Sequence, residues 1–357
     1  MRLEPQIETL YQTLDRELDN FPAGTKFYSV RKLMDKFKCH RGVLDEVLER
    51  REANQLIARI PQVGIFSSVT RRPNARRVLL AVPDWPGEVC REWRRKACAY
   101  ADSHEGWQLK EVMVTPDRDT IQSLSTENFD AAIIQMPSSN ISREEMKFLA
   151  ELPIPAVLLN ADAGSFSISN VHSDDAAGAI QACTYLHRRG HRRIALVQSE
   201  PHTRAMQKLV AAFTRVAELF NMELLHIDCM TVSGEFAQHR AYLGMKQFLA
   251  EHDGQVNFTA IYSLYGESVP GIMTALREFG YELPDDISIM AHSTEQIGQF
   301  YHPALTAVCA DIGAEVEAAF TGIAAVLSRQ KDHFKAEIPM KLIERDSVKK
   351  INTPERT

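Results

Sequence analysis

No stretch of the 357-residue sequence approaches the roughly 18 consecutive apolar residues of a membrane span, so no membrane partner is expected. The six cysteines (Cys39, Cys90, Cys98, Cys183, Cys229 and Cys309) are scattered and form no CxxC pair. The opening MRLEPQIETLYQTLDREL puts acids into the first helical turns and has no unbroken apolar core, unlike a secretory signal. These features together predict a cytoplasmic chain with reduced thiols, each a small buried hydrophobe. Nucleophile elbow, Walker loop, GxGxxG and HExxH are all missing, so neither an enzyme nor a cofactor is expected. The 12 histidines are dispersed. His187 and His191 stand four apart, but Arg188, Arg189, Arg192 and Arg193 crowd them and oppose a metal cation.

What is present is the balance of an ordinary globular protein, 45% hydrophobic and 25% charged. The net charge of -6 hides an asymmetry: residues 1–77 hold 15 Lys+Arg against 10 Asp+Glu, and the rest is acidic. A basic N-terminal segment on an acidic body is a layout of nucleic-acid modules joined to regulatory domains. Leu3, Ile7, Leu10, Leu14 and Leu18 share one helical face. Ser29 can cap a second helix with Leu33, Met34 and Phe37 inward, and a third spans about His40–Arg51 with Val43, Leu44, Val47 and Leu48 inward. LIARIPQVGIFSSV, with Pro61 and Gly64 between two apolar runs, reads as a hairpin. Helix, helix, turn, helix, hairpin is the order of a winged helix-turn-helix. SSVTRRPNARR after it carries four arginines and no apolar period, the mark of a linker.

From Val78 on, short apolar strands alternate with helices, predicting parallel sheets covered on both faces. The rhythm restarts after Asp174, which predicts two similar α/β lobes around a cleft. The expected fold is therefore α/β, a winged helix-turn-helix followed by a two-lobed body. The predicted boundaries are 1–68 for the DNA-binding module, 69–76 for a linker, 77–346 for the body and 347–357 for a polar tail. Within the body the first lobe takes about 77–163 and 293–326, and the second about 164–292 and 327–346.

Residues 6–68 resemble the winged helix of GntR-type transcription regulators. Ser29, Arg31 and Leu33 match that family's Ser-x-Arg-x-Leu, Phe37 closes the second helix, and Arg41 opens the third. Leu56-Ile57 precedes a wing whose Gly64-Ile65-Phe66 resembles Gly-Thr-Phe. The resemblance implies DNA contacts from Ser29, Arg31, Lys32, His40 and Arg41, and from Arg59 or Gln62 on the wing. A recognition helix presents its N-terminal residues to base edges and phosphates, which suits His40 and Arg41. The chain departs at His40, where Ser or Thr is usual, and at Asp45, where a second arginine is usual. Asp45 either accepts from a cytosine amino group or faces away.

From about Arg77 to Arg345 the chain resembles the effector domain of LacI/GalR-type repressors, with the periplasmic-binding-protein fold. The carriers are SDDAAGAIQACTYLHRRGHRRIALVQSE, ELPDDISIM and HPALTAV, in that order. A GntR-type head on such a body resembles the arabinose-repressor type of regulator. The resemblance implies a ligand between the lobes, gripped by Arg204, whose guanidinium can fork two oxygens. Two family positions differ: the usual Asn-Asp is Tyr265-Gly266, and the usual Gly-x-Asp is Ala291-His292-Ser293. Asp84, Trp85, Gln135, Gln198, Tyr265, Glu267, His292 and Ser293 remain as cleft candidates at strand ends, Trp85 and Tyr265 as stacking surfaces. These readings imply a repressor that binds a pseudo-palindromic double-stranded operator as a homodimer and answers to a sugar or sugar-like effector. A sensor that binds no sugar and an exported solute-binding protein are the alternatives.

Overall fold

The structure, a computed structural model, describes residues 7, 10–11, 13–14, 17–18, 21, 24–53, 57–61, 63–67, 75–84, 87–114, 121–124, 126, 128–135, 141–161, 163–164, 166–200, 202–229 and 235–351. Leu3, Gln62, Trp85 and most of the predicted linker lie outside them. The chain divides into two units, Met1–Ala75 and Arg76–Thr357.

In the smaller unit, the described residues from Ile7 to Leu18 are helical, and Leu10, Leu14 and Leu18 are buried. Helix α1 (Val30–Phe37) begins at Ser29, whose hydroxyl accepts from the Lys32 amide at 3.3 Å. It ends at Lys38, in the left-handed region at φ 49°, and α2 (Arg41–Ala53) follows. Val43, Leu44, Val47 and Leu48 from α2 pack on Leu33 and on the Leu10–Leu18 face. The antiparallel hairpin of β1 (Ile57–Ile60) and β2 (Gly64–Ser67) closes the core with Ile57 and Ile65, and Lys26 bridges to Phe66 at its edge. Arg51 is 0% exposed. Its guanidinium lies 3.5 Å from the centre of the Tyr11 ring and donates to the Tyr11 carbonyl, which ties α2 to the first helical segment.

The larger unit holds two six-stranded sheets. The first has the order β13-β7-β6-β5-β3-β4, with β3 (Arg76–Pro83), β4 (Trp107–Val114), β5 (Ala131–Gln135), β6 (Ala156–Leu159), β7 (Ser169–Ser173) and β13 (Lys335–Ile338). Helices α3 (Glu88–Ser103) and α9 (Ile312–Leu327) cover one face, and α4 (Arg143–Ala150) the other. The second sheet runs β14-β12-β11-β10-β8-β9, with β8 (Arg193–Gln198), β9 (Glu223–Asp228), β10 (Ala260–Ser263), β11 (Ser288–Thr294), β12 (Thr306–Ala310) and β14 (Lys341–Ile343). Helices α5 (Asp175–Arg188) and α6 (Arg204–Leu219) lie on one face, α7 (Ala237–Glu251) and α8 (Val269–Glu278) on the other. The pairs are parallel except β12 with β14, as fully apolar strands buried on both faces require.

Three expectations about the body are corrected. Residues 169–173 and 335–338, expected in the second lobe, form β7 and β13 of the first sheet, while 306–310, expected in the first lobe, forms β12 of the second. The chain thus passes between the sheets at 173–175, 310–312 and 338–341, and runs of apolar residues do not say which of two similar sheets they join. The segment from 347 is not a free tail up to Ile351. Ser347 accepts from the Thr306 amide at 2.8 Å and donates to the Ile289 carbonyl at 2.5 Å, Val348 is buried, and the Ile351 amide donates to Arg189 at 2.7 Å.

Side-chain caps start several helices: Ser142 and Glu145 form a capping box on α4, Asp174 caps α5, Thr203 caps α6 and Asp311 caps α9. Gly271 lets α8 approach α7 so closely that a Cβ there would overlap the Gln238 carbonyl oxygen. Gly271→Ala should therefore cost about 1–3 kcal/mol of stability, read as a lower urea midpoint at unchanged slope. An unchanged midpoint would mean the two helices separate freely.

Candidate functional site

The smaller unit presents the sequence-predicted DNA-binding residues in two groups. His40 precedes α2, and its carbonyl accepts from the Val43 and Leu44 amides, so His40 and Arg41 stand at the exposed start of that helix. The Arg41 side chain is 76% exposed and lies 3.4 Å from Asp45, one turn on. Asp45 therefore stands on the same edge as Arg41. Arg31 and Lys32 are exposed on α1, with the Lys32 ammonium over the Tyr28 ring at 4.3 Å. Ser29 is occupied as the helix cap. Arg59 is held by Glu52, at 2.6 Å through its side chain and 3.1 Å through its amide, and that pairing keeps the Glu52 carboxyl below its usual range. This clamp between α2 and the hairpin joins residues seven apart across a turn and has no signature in the residue pattern.

In the larger unit, a group of polar residues collects at the carboxyl ends of the strands, where the lobes meet. Glu267 leads it. One carboxylate oxygen accepts from the Glu88 amide at the start of α3, in the opposite lobe, and the other accepts from the Tyr265 hydroxyl at 3.0 Å. Arg91 of α3 stands 3.6 Å away and also pairs with Glu88. Burial raises the Glu267 carboxyl above its usual range, while the bonds from Tyr265 and Glu88 oppose this. Tyr265 is pushed far up by burial and by the Glu267 charge. Glu200, two residues past β8, is pushed up to about 8 by burial and by Glu267. Cys90 on α3 is raised to about 12, chiefly by burial, so it is a thiol.

Of the predicted effector residues, Tyr265, Glu267 and Ser293 come together: the buried Ser293 hydroxyl packs against Gly266, where a Cβ would collide with it. Gln135, also buried, ends β5 on the first lobe's carboxyl edge. Gln198 is buried and donates to the Glu200 carbonyl at 3.1 Å, beside His202, which meets Asp228 at 2.5 Å. Arg204 is exposed at the first turn of α6, and Asp84 is exposed after β3. His292 does not join Ser293. Strand alternation turns it to the other face of the second sheet, where it lies 3.1 Å from Asp175 and 3.4 Å from the Tyr262 hydroxyl. Glu200, Glu88, Arg91 and Tyr301 were missed by sequence reading. Glu200 carried a usable signal, since it follows a strand end in SEPH.

A second polar cluster sits where the chain crosses between lobes. Glu315 on α9 is 1% exposed and accepts from the Trp93 indole at 2.7 Å and the Ser173 hydroxyl at 2.6 Å. Asp311 at the next crossing caps α9 and meets Lys341 at 2.5 Å. Among the described residues, no group of three or more His, Cys, Asp or Glu could hold a metal ion, and no helix is long and apolar enough to cross a membrane. His191 is buried between Thr259 and the Lys349 carbonyl, and burial pushes it down to about 4, a neutral structural imidazole.

Comparison with known proteins agrees with this geometry. Residues 183–348 match the family described as a periplasmic binding protein-like domain. The chain is 25% identical over 192 residues to the probable HTH-type transcriptional repressor ExuR of Bacillus subtilis, 54% of this chain and 56% of that one. It is 24% identical over 238 residues to the HTH-type transcriptional repressor PurR of Vibrio atlanticus, 66% of this chain and 69% of that one. The match to ExuR thus spans little more than half of that relative. A LacI transcriptional regulator from Rhodococcus superposes with TM-score 0.66 at 21% identity, over 77% of this chain and 99% of that one. The lac repressor dimer bound to operator and the anti-inducer ONPF gives 0.67 at 16%, over 77% and 94%. A LacI-family regulator from Weissella paramesenteroides with bound glucose gives 0.64 at 22%, over 78% and 100%. These likenesses give the larger unit the fold of a periplasmic-binding-protein-like domain. The relatives are named as repressors, not enzymes, and none of those named here speaks for the GntR-type reading of residues 6–68.

The Glu315 carboxyl, lifted by burial from the ordinary 4.5 to about 7 against the pull of its two donors, has a consequence for stability. Below pH 4.5 it is protonated folded and unfolded. As pH rises to about 7 the unfolded chain ionises first, so stability falls by up to about 3 kcal/mol and then levels. Urea unfolding of Glu315→Gln from pH 4.5 to 8 should lack that share of the fall. A pH profile parallel to wild type would show that Glu315 ionises freely in the folded protein.

Proposed function

We propose that the protein is a ligand-responsive transcription regulator, a homodimer whose smaller unit binds operator DNA as a winged helix and whose larger unit closes on a small-molecule effector between its lobes. The observation that carries this is the combination in one chain of a helix-turn-helix, with His40 and Arg41 exposed at the start of its second helix, and a two-lobed body linked by three crossings. The hairpin after α2 and the Ser29 cap are what favour the GntR-type form of the module over another helix-turn-helix. The relatives' names as repressors support repression, and the operator-bound dimer supports a two-fold arrangement on a pseudo-palindromic site.

A surface for pairing is available on the second lobe. Phe236 is 68% and Phe300 88% exposed, and each lines an open groove, the first reaching α8 at Thr274 and the second at Arg277. Large aromatics flanking one helix are what a dimer core uses. In this reading Arg204 faces the effector from the mouth of the cleft, and effector contacts that differ between open and closed lobes shift operator affinity.

The test is binding to genomic DNA fragments across a salt series. Affinity should fall steeply with salt, as phosphate neutralisation demands. Arg41→Ala should weaken binding to the selected operator by about tenfold to a hundredfold, the ~1–3 kcal/mol of a base or charged contact, with the melting temperature unchanged. DNA affinity that ignores both salt and Arg41 would sink the regulator reading. Arg204→Ala should keep operator binding and lose the response to effector; a normal response would remove Arg204 from the site.

A further inference from the structure

We infer that the interlobe cleft is built for an effector that carries a protonated amine, whose ammonium group sits between Glu200 and Glu267. This rests on the reading of the cleft as the effector site and names the chemistry it takes. Glu267 is held in place from both lobes, by the Glu88 amide and the Tyr265 hydroxyl. Glu200 is not. Among the described residues its carboxyl group has neither a hydrogen-bonding nor an ion-pairing partner, although it is largely withdrawn from water and close enough to feel the Glu267 charge. Arg91 is shared between Glu88 and Glu267. No described side chain compensates Glu200 when it ionises, so beside Glu267 its carboxylate form calls for a cation.

A second observation is independent of the acids. The Ser293 hydroxyl is 5% exposed, has no hydrogen-bond partner, and packs against Gly266, between Tyr265 and Glu267. The Gln135 side-chain carbonyl, at the carboxyl edge of the first lobe's sheet, is likewise buried and unpartnered. Carboxylate, hydroxyl and amide carbonyl are all acceptors, and an ammonium group offers three donors and no acceptor. A neutral polyol would leave the Glu200 carboxyl protonated and gain no charge attraction from it.

The empty cleft has a proton to give up. With its carboxyl near 8, Glu200 is protonated at neutral pH, held so by burial and by Glu267; Tyr265 and Cys90, the other titratable groups facing it, are neutral at that pH. A bound ammonium would expel that proton. Affinity for a diamine that stays largely protonated over the range should then rise as pH goes from 6.5 to 8.5.

The experiment uses the full chain, calorimetric titration and thermal unfolding, with putrescine against its neutral isostere 1,4-butanediol and glucosamine against glucose. Operator binding is measured on the same samples. The expected result is that the amines bind and raise the melting temperature while the neutral isosteres do so at least tenfold more weakly. Putrescine affinity should strengthen about tenfold from pH 6.5 to 8.5, and Glu200→Gln should remove both the preference and the pH dependence. Equal or better binding of the neutral partners overturns the amine site and leaves the regulator intact. So does the absence of binding by either amine where operator binding persists. Loss of operator binding in every sample would count against the regulator reading itself. Glu200→Gln also tests the site without ligand. At pH 9 it should melt higher than wild type, because an unpaired carboxylate is removed, and a lower melting temperature would show a structural bond and overturn the proposal.

Discussion

The larger unit depends on one constraint: its chain passes between two sheets at 173–175, 310–312 and 338–341, so neither lobe is a continuous segment. Each crossing is fixed by polar groups. Asp174 caps α5 at the first, Asp311 caps α9 and holds Lys341 across the second and third, and Glu315 joins Ser173 to Trp93 beneath them. A buried carboxylate that accepts from both an indole and a hydroxyl fixes direction as an apolar contact would not. The lobes are thereby held at the hinge and left to meet again at the far side of the cleft.

The meeting is charged. Parallel strands in both sheets turn their carboxyl ends toward the junction, and loops that follow such ends can carry polar groups without breaking a core. Glu267 spans the gap to the Glu88 amide, a charge-assisted bond at the first turn of α3, where a helix favours negative charge. Parting the lobes would break this bond, and in the proposed reading a cation beside Glu200 would favour closure. The closed form therefore has a contact that the open form lacks, the differential a ligand needs in order to shift a two-state body.

The element order was legible because each strand and helix carries its own pattern: the apolar strands, the Asp174 and Ser29 caps, and Pro61 and Gly64 at the hairpin. What was not legible lay between elements. The lobe that receives β7, β12 or β13 is decided by which strands they pair with, for β13 a partner more than a hundred residues away, and their own sequences are compatible with either sheet. Ser347–Ile351 reads as a polar tail because its contribution is made through one hydroxyl, one buried valine and a backbone amide. At the site, Tyr265, Glu267 and Ser293 could be named from strand ends, but alternation sends His292 to the opposite face, a one-residue distinction invisible without the exact strand register. Glu200 was passed over for Gln198, whose amide is consumed locally by the Glu200 carbonyl.

The same logic bears on the helix-turn-helix. Asp45 is near Arg41 and partly offsets its charge, so the pair offers less to a phosphate than an arginine alone. An exposed i,i+4 pair is worth only a few tenths of a kcal/mol, little enough for DNA to separate it. In the proposed DNA complex generic affinity would then fall on the charges outside that pair, Arg31 and Lys32 on α1, while Arg41 and Asp45 together present a donor and an acceptor from one helix edge. In the proposed regulator that arrangement would trade non-specific attraction for discrimination between base pairs, a guanine edge being satisfied by the guanidinium and, where Asp45 reads a base, a cytosine amino group by the carboxylate.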